Sequence, residues 1–254
     1  MCDQDHFEED LKKYTRRDMG VLAAAVGIAF ALPRAANAVD VKESEVTIKT
    51  ADGECDAYFA APTTGAHAAV LVVNPFYRTK KAPTAPNGAQ TPIPDVVPLA
   101  QTLTPAVQTS DAKAFIAWLD GRSEVDKRKK VGTIGYCMGG PIVFRTAAAV
   151  PNRVGAVGSF HGGGLVTKAP DSPHLSIPQM KASFLIAVAE NDDMREPDVK
   201  DVLKAEFAKA KLAAEIEVYP AAHGWCPPDT TVYNKDAAEK AWGRMLALFS
   251  KALA

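Results

Sequence analysis

The chain has 254 residues, 47% of them apolar and 23% charged, with a formal net charge of −1 and a pI near 6.5. That is the composition of an ordinary globular protein with enough apolar material for one core. The near-neutral balance and the lack of any long run of like charge argue against nucleic acid as a partner.

The first segment reads as a targeting sequence. Thr15-Arg16-Arg17-Asp18-Met19 is a twin-arginine pair, Gly20 to Leu32 is an apolar run, and Ala36-Asn37-Ala38 is a small-x-small cleavage site. The match is imperfect, because Asp18 and Met19 stand where a bulkier apolar residue is commoner after the arginines. The expectation is a twin-arginine signal peptide over 1–38 and one folded domain over 39–254. The export machinery would then be a partner and the mature protein periplasmic. The apolar run is shorter than the about 20 residues that span a bilayer, so no stable membrane span is expected after cleavage.

Beyond it, Glu45 to Thr50 alternates with Val46 and Ile48 on one face, Asp52-Gly53 punctuates, and Cys55 to Ala60 follows. This pattern predicts an antiparallel hairpin. Then come short continuous apolar runs at 69–73, 131–134, 154–157, 184–188 and 216–219, as a parallel sheet covered on both faces requires. Helical spacing is read over 111–119, over 141–150, after Pro197, and over 235–251, where Ala238, Trp242, Met245, Leu246 and Phe249 form one stripe. The proline-rich stretch from Lys80 to Pro98 reads as a surface excursion. The alternation predicts an α/β fold with a mostly parallel, doubly wound sheet, an N-terminal antiparallel hairpin, and ligands at the carboxyl ends of the strands.

The chemistry centres on Gly135-Tyr136-Cys137-Met138-Gly139-Gly140, where a thiol between glycines joins an apolar run to a helical segment. This is the pattern of a nucleophile elbow, with sulfur in place of the serine oxygen. A thiol nucleophile needs a base, and the base needs an orienting acid. Asp192 follows the run ending at Val188, with Asp193 as its rival, and His223 follows the run ending at Tyr219. The chain order nucleophile, acid, histidine is that of the α/β-hydrolases. Cys137 would attack, His223 would move the proton, Asp192 would hold the imidazole, and the Met138 N–H would be one oxyanion donor. His161 also stands at a strand end but precedes the acid, and ranks behind His223. A carboxylate near Asp192 could equally cap the helix after Pro197. Arg78, near Lys80 and Lys81, is a candidate for binding a carboxylate on the substrate.

Of the four cysteines, Cys2 falls in the segment expected to be removed, and the remaining Cys55, Cys137 and Cys226 are an odd set for a disulfide framework and are read as thiols, with a Cys55–Cys226 bridge left open. His223-x-x-Cys226 is a single pair, and a structural zinc site needs four ligands, so no metal is expected.

The G-Y-C-M-G-G elbow, the late aspartate loop and the His223-Gly224-Trp225 turn resemble the dienelactone hydrolase family, cysteine hydrolases of the α/β-hydrolase fold. The resemblance implies hydrolysis of an ester or lactone through a thioester, without a cofactor. It also implies a substrate-facing arginine in Asn74-Pro75-Phe76-Tyr77-Arg78. One departure is plain: the family has two core strands before the nucleophile strand, separated by an oxyanion loop and a helix, whereas this chain has one apolar run before Asn74. An internal deletion before Val70 is therefore expected, with the run 69–73 taking the slot beside the nucleophile strand. A competing reading follows from it, a catalytically impaired member that only binds a ligand or partner. A thiol redox role ranks third, because no C-x-x-C pair stands beside Cys137.

Overall fold

The computed structural model describes residues 40–73, 98, 101–228 and 230–254. The signal-peptide expectation over 1–38, Arg78 and almost all of the proline-rich stretch lie outside the described residues.

The hairpin forms where alternation predicts it and runs longer. Strands β1 (Val41–Thr50) and β2 (Gly53–Pro62) pair antiparallel in register from Val41 opposite Pro62 to Thr50 opposite Gly53. Its inner face carries Ile48 and Cys55, which pack on Phe115 of helix α1 (Pro105–Asp120). Phe59 meets Trp118 edge to face at 5.2 Å. Helix α1 begins at Pro105 rather than Asp111, because Thr104 caps it through a bond from the Val107 N–H and proline suits the first turn.

The remaining strands are the contiguous apolar runs. Strands β3 (Val70–Val73), β4 (Val131–Tyr136), β5 (Val154–Phe160), β6 (Ser183–Ala189) and β7 (Ala214–Tyr219) form one parallel sheet in that spatial order. Val70 to Val73 pair with Gly132 to Gly135, so the run before Asn74 does lie beside the nucleophile strand. The hairpin is a separate two-stranded sheet, and among the described residues no strand bridges it to β3. Val72 on that edge is 61% exposed.

Helices cover both faces, as β-α-β crossovers demand. Helices α1, α2 (Gly139–Ala149) and α4 (Val199–Ala210) bury one cluster, in which Phe144, Phe184 and Phe207 meet with ring centroids 4.5 to 6.1 Å apart. Helix α5 (Lys235–Ala252) covers the other face, setting Met245 among Ile134, Phe160, Leu185, Tyr219 and Trp225. Burying each such side chain contributes about 1.5–3 kcal/mol, so two clusters of this size hold the sheet from both sides. A 3₁₀ segment at Pro173–Gln179 and the short helix α3 (Glu190–Arg195) follow β5 and β6. Neither was anticipated by the spacing. All three cysteines in the described residues are free thiols, Cys55 under the hairpin and Cys226 against the α5 cluster.

Candidate active site

Strand β4 delivers the thiol to the carboxyl edge of the sheet. Cys137 sits at φ 51°, a left-handed backbone rarely taken by a residue with a side chain. Two bonds hold it there: the Cys137 N–H donates to the Phe160 carbonyl, and the Gly140 N–H donates to the Cys137 carbonyl, each at 3.1 Å. The sharp turn brings α2 back onto its own strand. A Cβ at Gly135 would lie 2.3 Å from the Gly139 carbonyl oxygen, and one at Gly139 would lie 3.1 Å from the Val73 carbonyl. The glycines of the motif are therefore required by backbone contacts.

The acid and the histidine come from neighbouring strand ends. Asp192 lies on α3, not in a loop, and is nearly buried. One carboxylate oxygen accepts from His223 Nδ1 at 2.6 Å, and the other accepts from the Arg195 guanidinium at 2.8 Å. Asp193 turns away and pairs with Lys200 at 2.7 Å. It caps no helix, and the residue at the start of α4, Asp198, makes no side-chain cap bond. The His223 turn is tied to α3 by its backbone N–H, which donates to Asn191 Oδ1 at 2.8 Å, and by the Glu190 N–H on the Ala221 carbonyl. Trp225 anchors the turn from below, fully buried and stacked on Tyr219 at 5.4 Å.

The electrostatics join these groups. Burial raises the Cys137 thiol, but its hydrogen bond to His223, the His223 charge and the Met138 N–H outweigh this and the net shift is downward. The bond to Cys137 raises His223, burial opposes it, and the bond to Asp192 adds to the rise, carrying it to about 9. Both directions favour the pairing of a thiolate with an imidazolium, which is the reactive form of a cysteine nucleophile. Burial alone pushes Cys226 up to about 12, so this second thiol stays protonated.

The structure thus brings Cys137, Met138, Asp192 and His223 together. Met138 is partly exposed as a side chain while its N–H reaches the sulfur. It also brings in His161, which lies edge to face on the His223 ring with centroids 4.6 Å apart. Sequence reasoning did not find the partner roles of Asn191, Arg195 and Trp225. Asn191 and Trp225 each adjoin or lie close to a residue that was singled out, which is the only local signal they carry. Among the described residues, no group of three or more His, Cys, Asp or Glu side chains is arranged to hold a metal.

Comparison with known proteins gives the family and the fold. The family profile described as "Dienelactone hydrolase family" matches residues 69–253. A carboxymethylenebutenolidase of Rhodococcus opacus is 29% identical over 199 residues, 72% of this chain and 79% of its own length. A Synechocystis sp. relative that carries the same name provisionally is 33% identical over 149 residues, 57% of this chain. The chain spans 59% of that relative, and 42% of another, from Saccharolobus solfataricus, that is also 33% identical. The crystal structure of a Klebsiella pneumoniae protein described provisionally as a dienelactone hydrolase superimposes with a TM-score of 0.70 at 21% identity, covering 84% of this chain and 99% of that one. At that identity the likeness is one of fold.

Proposed function

The chain belongs to the dienelactone hydrolase family, and from that premise we propose that it hydrolyses an ester or lactone through a thioester on Cys137. The observation that carries this reading is the meeting of Cys137, His223 and Asp192 at neighbouring strand ends, with the imidazole bonded to the carboxylate at 2.6 Å and His223 acting to lower the thiol.

The steps follow from those groups. The Cys137 thiolate adds to the carbonyl carbon, and the Met138 N–H helps to hold the oxygen that becomes negative. The C–O bond to the leaving group breaks, and His223 gives that oxygen its proton. His223 then takes a proton from water, whose oxygen attacks the thioester carbon and releases the acid and the thiolate. Asp192 holds the ring tautomer and stabilises its cationic form throughout. The Arg78 segment is proposed to receive an anionic group on the substrate. The twin-arginine pattern supports export to the periplasm by the corresponding machinery, with 39–254 as the mature domain.

A second reading, a binding protein of impaired activity, is favoured by one observation. The hairpin and the parallel sheet are separate, as expected if a strand and the oxyanion loop were lost between them. Mass spectrometry of the protein mixed with an activated aryl ester separates the two. An acyl adduct on Cys137 that turns over, and that is absent in Cys137→Ala, supports the hydrolase. A folded protein that forms no adduct refutes it.

A further inference from the structure

His161 is an expensive residue that the proposed steps do not use. It directly follows β5 on a left-handed backbone at φ 41°, is 3% exposed, and neither ring nitrogen has a hydrogen-bond partner among the described residues. Strain of this kind and unpaired buried polar atoms both lower stability. Its neighbours are specific: the His223 ring at 4.6 Å, the Trp225 ring at 5.1 Å and the Tyr136 ring at 6.0 Å.

We propose that His161 is a positioning residue, a ring packed against both His223 and Trp225 that fixes the plane of the catalytic imidazole on the line from Cys137 to Asp192. This rests on the reading of Cys137 and His223 as a reacting pair. The Asp192 carboxylate is already engaged by His223 and Arg195, so His223 is the ring that the acid orients. His161 has no acid of its own. Burial and the nearby His223 charge lower it to about 4, with Asp192 opposing. It therefore presents a neutral aromatic surface to a cationic neighbour, and a ring bears on His223 without competing for its proton.

The test compares His161→Phe, which keeps a ring, with His161→Asn, which removes the ring but tolerates left-handed backbone. Two readouts are used: kcat and KM on an activated aryl ester, and the pH dependence of iodoacetamide alkylation at Cys137 followed on its own peptide. His161→Phe is expected to stay nearer wild type than His161→Asn in both, although phenylalanine tolerates the left-handed backbone less well. His161→Asn is expected to lose about tenfold to a hundredfold in kcat with little change in KM, the scale set by misplacing one reacting group. Its alkylation midpoint should rise toward that of an ordinary thiol. A folded His161→Asn with unchanged kcat and midpoint overturns the proposal. So does a His161→Phe with wild-type circular dichroism that falls as far as His161→Asn, because keeping the ring would then protect nothing. In the wild type, nitrogen NMR of the histidines should show His161 neutral from pH 6 to pH 9 while His223 holds the proton, and the opposite assignment also overturns it. Failure of the underlying reading is distinct, since it appears as an unreactive Cys137 in the wild type before any variant is made.

Discussion

Replacing Asp192 by asparagine keeps the volume of a nearly buried side chain and removes its charge. The amide carries no charge and only one oxygen acceptor, so the 2.6 Å bond from His223 Nδ1 is lost, or is kept without its charge while Arg195 gives up its acceptor. Hydrogen bonds to charged groups contribute about 1.5–3 kcal/mol. Arg195 is 63% exposed at its side chain, so its half of the arrangement is largely screened by water and adds little. If the full His223 bond acts on the transition state, kcat/KM falls about tenfold to 150-fold, taking 1.36 kcal/mol per factor of ten. A second effect has a definite sign. Asp192 contributes to raising His223, so in Asp192→Asn the His223 value drops below the wild-type value of about 9. The imidazolium that protonates the leaving group is lost as pH rises through that value, so the alkaline limb of the rate profile moves to lower pH. The assay is kcat/KM on an activated aryl ester across pH 5 to pH 10, with the thermal midpoint as a check on folding. A folded Asp192→Asn within about threefold of wild type, with the alkaline limb unmoved, would refute the role given to this carboxylate; a matching loss in Asp193→Asn would reassign it.

Three further outcomes are expected. In the wild type the rate should fall as pH rises through about 9, as His223 gives up its proton, and should persist on the acid side below the range of an ordinary thiol because Cys137 is lowered; stopped-time assays across pH measure both limbs. Timed alkylation read by peptide mapping should label Cys137 well before Cys226, whose thiol burial holds up at about 12, and equal labelling in a folded sample would contradict the electrostatics. Gly135→Ala should destabilise the fold by at least about 1–3 kcal/mol, because its Cβ would lie 2.3 Å from a backbone oxygen that cannot rotate away. For a chain of this size that is a fall of about 2–12 °C in the thermal midpoint, measured by circular dichroism.

The sheet was legible because each strand of its interior is a continuous apolar run, and 131–134, 154–157 and 184–188 became β4, β5 and β6 with only their ends extended. The hairpin was legible through the alternation of Val46 and Ile48 about Asp52-Gly53. The start of α1 was missed although its signal was present, in Thr104 followed by Pro105. The helix α3 carried no such signal, since Ala189 before it has no capping side chain. That helix is also why Asp192 and Asp193 could not be separated in advance. Successive helical residues point about 100° apart, so only one of the two can face His223, and which one depends on the rotation of α3 that the bond from the His223 N–H to Asn191 fixes. The importance of His161 was hidden for a similar reason. Its neighbours His223 and Trp225 lie far along the chain and meet it only after β6 and β7 are in place.

Edge strand β3 deserves a last consequence. It is four residues long, with outward valines in water, yet its last carbonyl, on Val73, is the surface against which Gly139 packs directly behind the nucleophile. Segments with so little buried surface open before the rest of a protein does. The helices around Phe144, Phe184 and Phe207 would still be intact when that opening slackens the elbow. Thiol reactivity should then fade at a lower temperature, or in less urea, than helical signal does. The working range of this protein should then be set by the fraying of one short border, with activity lost before the melting curve shows it.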